Sequence, residues 1–407
     1  MKKLLLILLF PLLFLGQSAY ADEIKLSAEH ALIVEASTGK ILFEKNANQA
    51  VPVSSISQLL TVYLVYQAID QGKLKLNEKV TISDHARSLS QTIPNDVPLN
   101  ESSYTVSDLL NAILVSNADG ACVALAEKIS GSEKKFVKQM QAKVSEWKLT
   151  NTTIVNASGQ NTKTIDSEAK TDEENLMSAQ DAAYIALRLT RDFPKVLIIT
   201  SKDNVSFGGD HLQTSNYMLQ GQVNERSTVT GLKTGDSEKG GASFVGTASE
   251  NGLDLITVVL NVVDGKEDSS ARFAETSRLL SYVSQTYTPV NLIKKGEPYH
   301  KSQAVIINGQ TDYVSAVAKS DLMIVMKYGS NANVPVTYRS NTQGYEAPIK
   351  AGTKVSTATY KDPELVGQGY LTGQPPTIAM VAADTVKRTN FIQVMWNEFV
   401  RYVNEKL

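Results

Sequence analysis

Three serines, Ser54, Ser55 and Ser57, stand at the start of an apolar segment with helical spacing. Serine-based acyl transfer needs a nucleophile, a base that takes its proton, and donors that stabilise the oxyanion. One known arrangement uses as base a lysine three residues after the serine, on the next turn of the same helix. Here the residues three places beyond the serines are Ser57, Gln58 and Leu60. No register therefore supplies that lysine.

Two other segments correspond to the companions of such a Ser-x-x-Lys motif, which are Ser-x-Asn and Lys-Thr-Gly. Lys233-Thr234-Gly235 is complete and directly precedes strand patterns. After Val115-Ser116, where Ser-x-Asn is expected, the chain reads Asn117-Ala118-Asp119. A lone tripeptide is weak evidence, so the surrounding elements decide its meaning.

Hydrophobic periodicity predicts the elements that position these segments. Residues 30–35 and 40–44 alternate apolar with polar around Ala36–Gly39, which predicts a hairpin. Residues 57–69 keep helical spacing, so the serines lie at a helix N-terminus. Further helices are predicted at 105–115, where Thr105 to Asp108 can cap, and at 120–130, 132–147, 178–191 and 271–285. Strands are predicted at 241–248 and 253–262. This order predicts an α+β domain whose sheet combines both ends of the segment. The polar stretch 160–175 has no periodicity, and its acidic run Asp172–Glu174 is interpreted as a solvated loop or a helix start rather than a binding site.

From Tyr287 onward the pattern changes to short β-type runs separated by turn residues, which predicts a second, small β-rich domain. The terminal segment from Val386 to Leu407 is an amphipathic helix by pattern. Its apolar face carries Phe391, Ile392, Met395, Trp396, Phe399, Tyr402 and Val403. On pattern alone two interpretations stay open: the helix lies in a bilayer interface, or it docks on its own domain.

The N-terminus has the features of a secretory signal. Met1-Lys2-Lys3 precedes an apolar run from Leu4 to Gly16, followed by Ala19-Tyr20-Ala21. The run is shorter than the ~20 residues that span hydrocarbon, which favours a cleaved signal over an anchor. The sequence predicts export, with cleavage between Ala21 and Asp22.

Composition excludes several classes of function. A formal net charge of -2 and the lack of a basic run argue against a nucleic-acid partner. The single cysteine, Cys122, excludes intrachain disulfides and Cys-based zinc sites, and the four histidines show no ligand spacing. No metal or other cofactor is expected.

The order of the motifs along the chain indicates a family more specifically than any one motif does. The hairpin segment Ala36–Lys40, Leu59-Leu60-Thr61 in the first helix, Ala124–Glu127 in a later helix and Asn216–Leu219 all precede Lys233-Thr234-Gly235. In this order and spacing the mature chain resembles the low-molecular-mass penicillin-binding proteins of the D-Ala-D-Ala carboxypeptidase family. The resemblance implies a signal peptide over residues 1–21 and a penicillin-binding, β-lactamase-like transpeptidase domain over 22–288. A β-rich domain over 289–385 and a membrane-associating helix over 386–407 would follow.

The resemblance also implies a function and roles for individual residues. Such proteins trim the terminal D-Ala from peptidoglycan stem pentapeptides through a serine acyl-enzyme at the outer face of the cytoplasmic membrane, and β-lactams acylate the same serine. By this resemblance Ser55 is the nucleophile, and its N–H and that of Asp236 form the oxyanion hole. Lys233 and Thr234, within Lys-Thr-Gly235, anchor the substrate carboxylate. Arg272 either adds charge there or is an ordinary surface arginine.

The departures from the motifs bear on activity. Gln58 takes the place of the base lysine; its amide could hold Ser55 by a hydrogen bond but cannot act as a base. Asp119 could replace the base, although the Lys233 cation would lower its pKa. Two hypotheses follow: a carboxypeptidase whose activity is weak or lost, and a non-catalytic relative that binds stem peptides or envelope proteins in the same cleft. A β-lactamase is disfavoured because of the β-rich domain and the terminal helix.

Overall fold

The computed structural model describes residues 24–262, 268–330 and 335–406. The predicted signal segment lies outside the described residues. The strands are β1 Ala28–Glu35, β2 Ile41–Lys45, β3 Val51–Pro52, β4 Lys79–Thr81, β5 Ser103–Thr105, β6 Leu176–Met177, β7 Asn204–Phe207, β8 Asp210–Gln213, β9 Val229–Ser237, β10 Gly241–Glu250, β11 Leu253–Val262, β12 Tyr287–Ile293, β13 Pro298–Ile307, β14 Tyr313–Ala318, β15 Leu322–Lys327, β16 Val336–Ser340, β17 Tyr345–Glu346, β18 Lys354–Tyr360 and β19 Thr377–Ala382. The helices are α1 Gln58–Asp70, α2 Asp84–Thr92, α3 Val106–Ser116, α4 Asp119–Ser130, α5 Glu133–Glu146, α6 Thr162–Ile165, α7 Ala179–Asp192, α8 Val196–Thr200, α9 Ala271–Thr286 and α10 Phe391–Lys406, and a 3₁₀ turn, Ser54–Ser57, leads into α1.

A five-stranded antiparallel sheet with the order β2-β1-β11-β10-β9 forms the centre of the first part. Residues of β1 point alternately to the two faces of the sheet. Leu32 and Val34 pack with the helical block that contains α1, whereas Ala31 and Ile33 pack with α9. The predicted α+β fold, with both ends of the segment in one sheet, is confirmed. In this order β9, which carries Lys-Thr-Gly, is an outer strand.

The turn between α3 and α4 brings the second motif to the sheet edge. Thr105 and Asp108 form a capping box that starts α3, as the sequence predicts. Asn117 ends α3 with φ 58°, a left-handed conformation that asparagine tolerates. The carboxylate of Asp96 accepts the N–H of Asp119 at 2.8 Å and of Gly120 at 3.0 Å. Asp96 thus satisfies N–H groups at the start of α4 that the helix itself leaves unpaired.

The remaining strands after α9 form the C-terminal all-β part. Its strands lie in a sheet of order β16-β18-β19-β14-β13-β17 and a pair β12-β15. A buried ion pair links it to the hairpin: Lys40 Nζ lies 2.7 Å from Asp362 Oδ2, and each side chain is 1% exposed. Lys40 Nζ also donates to the Val325 carbonyl at 2.9 Å.

The terminal helix starts later than the sequence predicts. Val386 instead exchanges backbone hydrogen bonds with Ile349 at 2.8 and 2.9 Å, and Asn390 Oδ1 accepts the N–H of Gln393 at 2.9 Å. The prediction that the helix begins at Val386 is therefore wrong, because the chain is held in a β bridge there and Asn390 caps the first turn. Among the described residues, no helix is long and apolar enough to cross a membrane.

Candidate active site

A cleft of about 580 Å³ lies where the 3₁₀ turn, the α3–α4 turn and the end of β9 meet. Its walls are formed by Ser54, Ser55, Ile93, Pro94, Asn95, Asp96, Ser116, Asn117, Asp119, Gly159, Gln160, Asn161, Thr164, Glu174, Ser215, Asp236, Ser237 and Glu238. The predicted residues Ser55, Asn117, Asp119 and Asp236 are therefore in one cleft. Among the described residues, no cluster of three His, Cys, Asp or Glu side chains is arranged to hold a metal ion.

Ser55 lies on the 3₁₀ turn, where β9 packs closely against it. A Cβ added to Gly235 would lie 2.6 Å from the Val53 carbonyl oxygen and 3.0 Å from Ile56 Cγ1. This close approach is the physical reason for glycine in the third place of Lys-Thr-Gly. Within the described residues, no group forms a hydrogen bond with Ser55 Oγ. The assignment of the Ser55 and Asp236 N–H groups to an oxyanion hole stays a prediction.

Gln58 does not hold Ser55. Its Nε2 donates to Asp119 Oδ1 at 2.8 Å, to the Ser158 carbonyl at 3.0 Å and, at 3.4 Å, to the Asn117 carbonyl. The side chain is fully buried. The predicted hydrogen bond from the Gln58 amide to Ser55 is therefore wrong, because the amide is directed at the start of α4.

Asn117 connects the α3–α4 turn to β9. Its Nδ2 donates to Thr234 Oγ1 at 2.8 Å. Thr234 Oγ1 in turn donates to Ser215 Oγ at 2.8 Å. The one proton of the Thr234 hydroxyl is thus directed at Ser215, and binding a substrate carboxylate through this hydroxyl requires that it turn.

Asp119 is held by two amides and lies near a second acid. Its Oδ1 accepts from Gln58, its Oδ2 accepts from Gln160 Nε2 at 2.8 Å, and the residue is 3% exposed. Burial, with the nearby charge of Asp96, raises the pKa of Asp119 well above its usual value. Lys233 acts in the opposite direction, but more weakly. The expectation of a lowered Asp119 pKa is therefore wrong, because desolvation outweighs the cation.

Lys233 is buried behind the cleft wall. Its Nζ donates to the Ile113 carbonyl of α3, and the residue is 2% exposed. Burial lowers the pKa of Lys233 to about 8. Burial also raises the pKa of Asp96 to about 6, against the effect of its backbone donors. Two acids and one lysine with shifted pKa values thus lie close together.

Arg272 is not a surface arginine. It is 5% exposed, and its Nη1 donates to the Gly235 carbonyl at 3.0 Å and the Ser243 carbonyl at 3.2 Å. Its Nη2 pairs with Asp236 Oδ1 at 2.9 Å. The surface interpretation is wrong because the guanidinium ties β9 to β10, and its charge is already paired with Asp236.

Sequence reasoning missed three groups that complete the site. Asp96 and Gln160 hold the start of α4 and Asp119, and neither belongs to a motif or a periodic segment. Glu174 ends the acidic run that was interpreted as solvated, yet it is buried and accepts from Ser237 Oγ at 2.6 Å and Asn161 Nδ2 at 3.2 Å. For Glu174 that interpretation is wrong. The apolar Leu176 and Met177, which follow after Asn175, are the one signal that the chain returns to the core there.

Comparison with known proteins agrees with this geometry. Residues 17–264 match the family model of D-alanyl-D-alanine carboxypeptidase, and residues 287–388 match that of the penicillin-binding protein 5 C-terminal domain. The α+β fold with its cleft and all-β second part is thus that of a penicillin-binding protein. The chain belongs to the D-alanyl-D-alanine carboxypeptidase family, a family of serine-type carboxypeptidases.

Individual relatives cover most of the chain. D-alanyl-D-alanine carboxypeptidase DacF of Bacillus subtilis is 27% identical over 98% of this chain and 100% of its own length. The crystal structure of a peptidoglycan synthesis regulatory factor (PBP3) from Streptococcus pneumoniae is 42% identical with a TM-score of 0.83, over 89% of this chain and 100% of that one. Penicillin-binding protein D2 from Listeria monocytogenes, in a cefotaxime-bound form, is 28% identical with a TM-score of 0.55, over 64% of this chain and 98% of that one.

Proposed function

We propose that this chain is a non-catalytic member of its family that binds peptidoglycan stem peptides in the cleft without acyl transfer. The observation that carries the proposal is that Ser55 Oγ has no hydrogen-bond partner among the described residues, while the side chain at the base position, Gln58, is directed at Asp119. Removal of a positioned base typically costs ~10²–10⁴-fold in rate. Acylation of Ser55 is therefore too slow to support turnover.

Binding is supported by the parts of the cleft that do not need a base. The strand β9 is the outer strand of its sheet, and an extended peptide can add to such an edge through backbone hydrogen bonds. Lys233, Thr234, Gly235 and Asp236 lie on this strand. We assign the contact with the stem peptide to the backbone of these residues, because the Lys233 side chain is buried behind the cleft wall, and Arg272 keeps the strand in place. β-Lactams, one of which is bound in the Listeria relative, are expected to enter the same cleft.

A weak carboxypeptidase is the second candidate, with Asp119 as the base. The raised pKa of Asp119 favours it in part, because a base works best with a pKa near the operating pH. Against it, both oxygens of Asp119 accept hydrogen bonds from Gln58 and Gln160 rather than from Ser55.

The experiment that separates the two is intact-mass measurement of the Asp22–Leu407 protein after incubation with a labelled penicillin. We expect no covalent adduct on the parent and none on Ser55→Ala. An adduct on the parent that is absent from Ser55→Ala would establish the enzyme and contradict the proposal.

The same proposal includes export and attachment to the membrane surface. The segments 1–21, 22–288, 289–385 and 386–407 stay the proposed divisions of the chain, with the helix itself starting at Phe391. Its side chains Phe391, Ile392, Met395, Trp396, Phe399 and Tyr402 are exposed, whereas Val394 is buried. The helix contacts the β part through a hydrogen bond from Asn397 Nδ2 to Asn308 Oδ1 at 3.4 Å, while its wide apolar surface stays open, as in an interfacial helix.

Vesicle binding tests this attachment. Co-sedimentation with vesicles of bacterial lipid composition should fall at least about tenfold for Trp396→Ser/Phe399→Ser, because each loses buried apolar area. The matched control is Tyr313→Ser, another exposed aromatic side chain, on β14. Equal sedimentation of both variants and the parent would contradict a membrane role for α10.

A further inference from the structure

The three positions at which this chain departs from the family motifs are connected to one another. Gln58 Nε2 donates to Asp119 Oδ1 at 2.8 Å and to the Asn117 carbonyl at 3.4 Å. Asn117 Nδ2 donates to Thr234 Oγ1 at 2.8 Å. A continuous chain of hydrogen bonds thus runs from α1, through the α3–α4 turn, to β9. The changes at 58, 117 and 119 have to be considered together.

Asp119 is matched to a neutral partner at position 58. Both of its oxygens accept from uncharged amides, those of Gln58 and Gln160, and Asp96 accepts the Asp119 N–H. A lysine introduced alone at 58 would place an ammonium group next to the buried carboxyl group of Asp119, with the half-buried Asp96 near it. An opposite charge at this distance favours the charged form of an amine. The Lys233 ammonium group, which lies near Asp119, acts against this effect, but Asp119 is the direct contact of position 58. Such a lysine would stay protonated, whereas a general base must be neutral.

Asn117 acts on the other wall of the cleft. Because its amide donates to Thr234 Oγ1, the hydroxyl proton of Thr234 is directed at Ser215. A serine at 117 has a shorter side chain and carries no amide to hold Thr234. The residue at 117 therefore determines which way the Thr234 hydroxyl donates.

We propose that Gln58, Asn117 and Asp119 form one coupled unit, in which Asp119 is a positioning residue that holds the side chain at 58 away from Ser55. The inference rests on the proposed function of binding without acyl transfer. All three residues together prevent acylation of Ser55, so a lysine introduced at position 58 alone does not permit it. In the blocked step the Ser55 Oγ–carbonyl carbon bond forms, the lactam C–N bond breaks, and the hydroxyl proton passes through the base to the leaving nitrogen.

The first test compares the rate of covalent labelling by a fluorescent penicillin for Q58K and for Q58K/N117S/D119N between pH 5 and 9. The triple variant should label at least about 100-fold faster than Q58K, which is the lower range of a general-base contribution. Its rate should also reach a plateau at lower pH, because its lysine loses the carboxylate that keeps it protonated. Rates that agree within about threefold would overturn the inference, whether both variants are fast or both remain at the parent rate.

A second measurement does not depend on acylation. Urea unfolding of Q58M, D119N and Q58M/D119N gives a double-mutant cycle for the contact between the two side chains. A coupled pair requires that the unfolding constant of the double variant differ at least about threefold from the value expected for independent changes. Independent effects would overturn the inference. The proposed function is tested by penicillin labelling of the parent protein alone. If the parent is labelled, the proposed function is contradicted, but the double-mutant cycle still tests the coupling between positions 58 and 119.

Discussion

The two walls of the cleft differ in how closely their chemistry depends on the fold. On the strand wall, Gly235 packs against the Ser55 turn and Arg272 binds the carbonyls of Gly235 and Ser243, so these residues are part of the sheet structure. On the helical wall, the contacts of the base position start from one side chain: Gln58 Nε2 donates to Asp119 Oδ1 and to the Ser158 and Asn117 carbonyls. Because these contacts are not part of the sheet, the residue type at position 58 can change while the pairing of β9 with β10 is kept. This explains how a chain can keep Lys-Thr-Gly and the fold while the base position is altered.

Arg272→Leu should have the largest effect on stability, because the strand wall depends on it. The change leaves the buried carbonyls of Gly235 and Ser243 without their donor, at ~1–3 kcal/mol each. The Asp236 side chain is 57% exposed, so its lost partner adds little. We expect a loss of about 2–6 kcal/mol in the free energy of unfolding in urea. Arg339→Leu, at an exposed arginine on β16, should cost less than about 0.5 kcal/mol. Equal losses would show that Arg272 does not tie β9 to β10.

Ser57 and Ser55 lie on the same 3₁₀ turn, but only the Ser57 hydroxyl forms hydrogen bonds within the described residues. Ser57 Oγ donates to the Ser54 carbonyl at 2.8 Å and accepts from Asn175 Nδ2 at 2.8 Å, and the residue is fully buried. Ser57→Ala should cost about 1–3 kcal/mol, because it leaves these groups unpaired. Ser55→Ala should change stability by less than about 0.5 kcal/mol, since its hydroxyl makes no such bond. A large loss of stability for Ser55→Ala would mean that the Ser55 hydroxyl forms a hydrogen bond in solution.

The shifted pKa of Asp119 on the helical wall should make the stability of the protein depend on pH. The folded-state pKa of Asp119 is raised above the unfolded value near 3.8, so the folded protein binds the proton more tightly. Stability must then fall as pH rises from about 4 through the folded-state pKa, by at most ~1.4 kcal/mol per pH unit. Asp119→Asn removes this fall, and its stability relative to the parent should rise with pH in urea unfolding at pH 4 to 7.

Asp172→Asn is the control for this pH dependence. Asn161 and Lys239 lower the pKa of the exposed Asp172 carboxyl, so its contribution has the opposite sign. The parent should gain stability relative to Asp172→Asn only as pH rises through the lowered folded-state pKa towards 3.8, so between pH 4 and 7 the difference between these two should stay constant. A pH-independent difference between the parent and Asp119→Asn would contradict the raised pKa of Asp119.

The sequence predicted the elements of the fold better than the partners within the site. The hairpin, the capping box at Thr105 and the turn that presents Ser55 follow from local patterns that the structure retains. The partners of Gln58, Asp119 and Arg272 are long-range, and Asp96 and Gln160 lie in polar loops without periodicity. The direction of the Asp119 pKa shift was wrong because burial cannot be estimated from a neighbouring charge in the sequence. The start of α10 was misplaced because a β bridge at Val386 leaves no local signal.

The central claim is that the cleft binds a stem peptide but does not process it. The most direct test is to measure, on the same sample, calorimetric binding of a peptide ending in D-Ala-D-Ala and release of free D-Ala over time. We predict saturable binding, with D-Ala release no greater than that of Ser55→Ala. Release of D-Ala by the parent that disappears in Ser55→Ala would contradict the account.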